Sequence, residues 1–131
     1  MTNKRKIVSP PMFTTQEEQI IDSILQNFSN KARYPLTLYQ LIDKWSQFVS
    51  DLEMGYFFSI YDYQNDLSTR EILQEIIAMA PESIQEKILR ELLPIDKRFQ
   101  QLTREMPYPI LGDYRGWWWY RIPRKTGHEF Y

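Results

Sequence analysis

Thr37-Leu38-Tyr39-Gln40-Leu41-Ile42-Asp43-Lys44-Trp45-Ser46-Gln47-Phe48-Val49-Ser50-Asp51-Leu52-Glu53-Met54-Gly55 is the stretch that decides the fold. Leu38, Leu41, Ile42, Trp45, Phe48, Val49 and Leu52 recur at helical spacing and make one apolar stripe. Gln40, Asp43, Lys44, Gln47, Ser50 and Asp51 keep the opposite side wet. Thr37 and Gln40 have capping-box spacing, hydroxyl to amide and amide back to side-chain oxygen. Gly55 stands where a left-handed C-terminal residue is needed. The spacing predicts a helix over about 37–54 with one face committed to a core.

Upstream, Thr14 with Glu17, or Thr15 with Glu18, offers another capping box. Ile20, Ile21, Ile24, Leu25 and Phe28 follow it on one helical face, and Tyr34-Pro35 imposes an extended connection. Residues 1–12, with Lys4-Arg5-Lys6 and two prolines, read as a flexible basic arm. Downstream, Tyr56–Asp66 fits a short helix or a strand, and the absence of a good partner strand favours the helix. Ser68 and Glu71 suggest a third capping box before Ile72, Leu73, Ile76, Ile77 and Ala80. After Pro81 a stripe of Ile84, Ile88, Leu89, Leu92, Ile95, Phe99 and Leu102 keeps phase across Pro94. A proline inside a helix costs about 3 kcal/mol, so a kink or break is expected there, with both segments on one surface.

From Met106 the pattern changes. Met106-Pro107-Tyr108-Pro109 cannot lie inside a helix, and Trp117-Trp118-Trp119-Tyr120-Arg121-Ile122-Pro123 has strand-like composition. The expectation is an all-α fold of about five compactly arrayed helices. Residues 13–105 would form the helical domain and 106–131 an extended, tryptophan-rich arm packed on it. A strand would turn Trp117 and Trp119 one way and Trp118 with Tyr120 the other. Packing of the arm on the helices, with Arg121 and the outer edge of Trp118 left to a partner, is the expected outcome.

At 131 residues, the chain is long enough for one self-sufficient core. Sixteen Lys and Arg against seventeen Asp and Glu exclude a uniformly basic nucleic-acid binder. No cysteine and a single histidine, His128, exclude a disulfide framework and the usual zinc or Cys–His constellations. No glycine-rich phosphate loop is present, and no apolar run approaches the roughly 20 residues of a membrane span. The opening residues are too short and proline-rich for a secretory signal, so a cytoplasmic location is expected. Glu71 with Glu75, and Glu82 with Glu86, could hold a hard cation or divide acid and base roles. Their placement on wet helix faces reads as solvated surface instead. No catalytic group, metal or cofactor is therefore assigned.

Charge is unevenly placed: residues 1–12 carry +3, residues 113–131 carry +2, and the remainder carries −6. Between Leu36 and Ser68 lie Asp43, Asp51, Glu53, Asp62 and Asp66 against Lys44 alone, interleaved with Tyr39, Tyr56, Tyr61 and Tyr63. An acidic surface with tyrosines suits a protein that covers a basic site on a partner. The size and character resemble small immunity or inhibitor proteins, a likeness of composition that assigns no residue roles. The expected function is non-catalytic protein–protein interaction through Asp62, Tyr63, Asp66, Trp118 and Arg121. The alternative is a nucleic-acid adaptor using basic termini and stacking tryptophans.

Overall fold

The computed structural model describes residues 13–29, 37–112 and 116–131. The proposed basic arm at 1–12 and the connection around Tyr34-Pro35 lie outside them. Four helices carry the chain: α1 (Thr15–Ser29), α2 (Leu38–Asp51), α3 (Ile60–Met79) and α4 (Glu82–Leu102). The chain continues through β1 (Thr103–Glu105), a 3-10 turn (Trp117–Tyr120), β2 (Arg121–Pro123) and a last 3-10 turn (His128–Phe130). The fold is essentially all-α, with a two-stranded sheet among the described residues.

The first two helices follow their caps. Thr14 closes a capping box with Glu17, whose carboxylate accepts from the Thr14 amide at 2.9 Å. Thr37 and Gln40 close theirs at 3.0 Å in both directions. All seven stripe residues from Leu38 to Leu52 are buried. Gly55 adopts φ 101°, the positive value that its position at the end of a short 3-10 turn (Leu52–Met54) demands.

Two expected helices between Tyr56 and Ala80 are one. Its cap is Ser59 with Asp62, while the Ser68 hydroxyl donates to the Asn65 carbonyl from mid-helix. Tyr63, Leu67, Arg70, Leu73 and Ile77 form its buried stripe, and Arg70 occupies a position where helical periodicity calls for an apolar residue. Likewise α4 runs unbroken through Pro94. The lost amide bond is outweighed because Leu92 and Phe99 are buried on either side of the proline. Among the described residues, four helices stand beside the expectation of about five.

The tryptophan run departs from the expected strand. Trp117–Tyr120 is a 3-10 turn, and only Arg121–Pro123 extends, pairing antiparallel with Thr103–Glu105. The turn removes the two-sided alternation of a strand, so Trp118 and Trp119 are both buried. Gly116 is required here: a Cβ would sit 2.3 Å from the Trp118 indole. Trp118, Trp119, Ile122 and Phe130 join Trp45, Tyr63 and Phe99 in one core. Helix α3 holds the arm by side chains, since the Tyr63 hydroxyl donates to the Arg121 carbonyl at 2.8 Å and Gln64 to the Ile110 carbonyl at 3.1 Å.

Glu17 also ties α1 to α4, accepting from Lys87 Nζ at 2.7 Å and Ser83 Oγ at 2.8 Å. The bonds from Lys87, the Thr14 amide and Ser83, in that order, hold its carboxyl down at about 2. A depressed carboxyl stabilises the fold above its unfolded value near 4.3, and that contribution is lost as the pH falls through 2. Glu17→Gln is therefore expected to lower the melting temperature at pH 6 and to narrow its gap to the parent towards pH 2. Thermal melts across pH 2–6 check this, and a constant gap would contradict it.

Candidate functional site

The polar side of α2 forms one wall of a groove of about 520 Å³, with Gln40, Asp43, Lys44, Gln47 and Asp51 in sequence along it. Phe48 and Tyr56 contribute apolar surface, and Gly55, Phe58 and Asp66 complete the lining. The segment opposite α2 is anchored by the C-terminal residues. The Tyr56 amide donates to the Lys125 carbonyl at 2.8 Å, and the Gly127 amide to the Tyr56 carbonyl at 3.1 Å. With Tyr56 buried between Tyr63 and Phe130, its neighbours turn outward. Phe57 is 56% exposed, Phe58 63%, Tyr61 77% and Met54 78%. Four large exposed apolar side chains thus fall within eight residues of sequence, and Phe58 among them lines the groove with the acidic wall. Their backbone is held in place by two ladder bonds.

Asp66 sits half-buried in the groove, its Oδ2 accepting from the Tyr56 hydroxyl at 2.6 Å. Burial pushes its carboxyl above the usual range, against the Tyr56 bond and the charge of Lys44, which favour ionisation. Tyr56 is raised in turn, first by burial and then by Asp66. The groove therefore keeps a carboxylate in a place that penalises its charge.

Of the five residues expected to bind a partner, two lie at this face. Asp66 lines the groove, and Asp62 is exposed one turn earlier on α3, where it caps Ser59 through the amide at 3.3 Å and the hydroxyl at 3.0 Å. Tyr63 is a correction: it is fully buried, and its hydroxyl fastens β2. Trp118 is another. Its indole is buried with the Arg70 guanidinium 4.6 Å above the ring, so no outer edge reaches a partner. Arg121 is half-buried and spends its guanidinium on Thr103 Oγ1 at 2.8 Å and the carbonyls of Gln100 and Thr103. Phe57 and Phe58, absent from the expected set, are the main additions. The sequence signals their apolar character but not their exposure, since Tyr56, next to Gly55, is buried.

The glutamate pairs hold no shared site. Glu71 accepts from the Trp119 indole at 2.7 Å, which sets it apart from exposed Glu75. Among the described residues, no group of three or more His, Asp or Glu side chains converges as a metal site. No helix among them is long and apolar enough to cross a membrane. The chain matches no protein-family model, no curated protein and no solved structure.

Proposed function

We propose that this protein is a non-catalytic binding module that covers a basic site on a partner protein with the face formed by α2 and residues 54–66. One observation carries the proposal: Phe58, in a segment that also exposes Met54, Phe57 and Tyr61, lines one groove with Asp43 and Asp51 of α2 and Asp66 of α3. Large exposed apolar side chains gathered in one place mark interaction surfaces. Rings held by a fixed backbone lose little conformational freedom on binding. The surrounding carboxylates steer a cationic partner and set orientation. The adaptor alternative has less support, because Trp118 and Trp119 are inside the core and Trp117 is half-buried.

Asp62→Lys combined with Asp66→Lys is expected to weaken the cognate complex at least about tenfold and to flatten its salt dependence. Titration calorimetry with the co-purified partner at low and high salt measures both. Unchanged affinity in a normally folded variant would reject this face.

A further inference from the structure

We infer that α4 docks on α4 of a second copy of this chain, antiparallel, through its outward stripe. The surface is separate from the binding face proposed above, since no α4 residue lines that groove. Buried Ile84, Ile88, Leu92 and Phe99 fix which side of α4 meets the core. On the other side Glu82, Glu86, Leu89, Leu93, Lys97 and Gln100 follow at steps of three and four, and all six are exposed. Leu89 is 45% exposed and Leu93 56%, which leaves two leucines open to water one turn apart. Charge along the stripe is ordered: the acids precede the leucines and the lysine follows them. Reversing a second helix therefore sets acid against base, whereas a parallel pairing sets like against like. A two-fold axis between Glu91 and Leu92 puts Glu86 opposite Lys97 of the second copy, and the reverse. These two residues stand about 16 Å apart along the helix. The same axis brings Leu89 beside Leu93 of the second copy, so four leucines fill the space between two ion pairs. Among the described residues, neither Glu86 nor Lys97 has an ion-pair partner within its own chain. Asp96, next to Lys97, is spent on Arg70 and Trp45. Arg90, one turn beyond Glu86, competes for it within the helix, a weak contest at an exposed site. Six residues a side fall well below the about 20–30 of a stable interface, so association is weak, between about 10 and 500 µM.

Sedimentation of the full chain at low salt, from about 5 µM to 1 mM, is expected to show a monomer–dimer equilibrium within that range. Leu93→Gln should weaken it at least about tenfold. Glu86→Lys or Lys97→Glu alone should weaken it about tenfold, since each sets like charges opposite one another at both ends. The two together should return it to within about threefold of the parent. That recovery belongs to the antiparallel arrangement, because in a parallel one the double change still leaves like against like. All three positions are exposed, so melting temperatures at low concentration should stay close to the parent's. A chain that stays monomeric at about 1 mM would overturn the inference. So would a double change that associates no better than either single one. A dimer that Phe58→Ser dissolves and Leu93→Gln leaves intact would place the second copy on the segment after Gly55, and would overturn it as well. None of these outcomes bears on the Asp62 and Asp66 reversals, so the binding face and the α4 contact stand or fall separately.

Discussion

Replacing Asp96 with alanine is expected to destabilise the fold by about 3–5 kcal/mol, because it strands a buried guanidinium. Arg70 is buried on α3, with only 3% of its side chain exposed. Its Nε and Nη2 reach the two Asp96 oxygens at 3.1 and 2.9 Å, and Nη1 reaches Gln74 Oε1 at 3.2 Å. Asp96 Oδ1 also accepts from the Trp45 indole at 2.9 Å, while the guanidinium lies over the Trp118 ring. One carboxylate therefore satisfies donors from α2 and α3 under a roof supplied by the arm. Alanine leaves the arginine charged without a counterion and the indole without an acceptor. Arg70→Met with Asp96→Leu removes both charges together, so it should recover most of the loss. Urea unfolding of Arg70→Met, Asp96→Leu and the double variant measures the coupling. A single variant within about 1 kcal/mol of the parent would contradict the expectation.

That network also marks where the sequence ceases to be legible. The periodicity of α1 and α2 is carried by residues within one helix, so capping boxes and stripes locate both. On α3 the stripe passes through Arg70, which becomes a core residue only because Asp96 stands opposite it, 26 positions later. Reading Ser68 and Glu71 as a capping box divides the helix and shifts the start of its second part. The same shift misplaces the tyrosines. With the helix capped at Ser59, Tyr63 lies one turn before Leu67 and faces inward, while Tyr61 faces out. Asp62 is exposed as its charge suggests, whereas Asp66 is half-buried against the Tyr56 hydroxyl. The strand pairing is not, since Thr103-Arg104-Glu105 has no strand-like composition and acquires its partner only when the arm folds back. Phe57 and Phe58 are legible as apolar but not as exposed. Their outward turn depends on the Tyr56 bonds to Lys125 and Gly127, near the far end of the chain.

Ending the chain at Gly112 is expected to abolish cooperative folding. The deletion removes Trp118, Trp119, Ile122 and Phe130, none more than 2% exposed. It also breaks the Trp119–Glu71 bond, the Tyr63 bond to β2 and the ladder at Tyr56. The ordering entropy of the deleted residues is no longer lost, so the relevant cost is the surface they leave bare on the helices. Each of the three rings covers an area of the order of 150–250 Å². A helical face of several hundred Å² is thus returned to water at about 25 cal/mol per Å², roughly 10 kcal/mol. The whole stability of a domain is typically about 5–15 kcal/mol. Unpaired buried groups such as the Tyr63 hydroxyl add to the deficit. Trp45 reports the outcome, because it is the one tryptophan remaining after truncation and is fully buried in the intact protein. Its emission should move to the red, and the melting transition should broaden or vanish. An arm that served only a partner would leave both unchanged, so a sharp melt near the parent's temperature with blue Trp45 emission would overturn the assignment of the arm to the core.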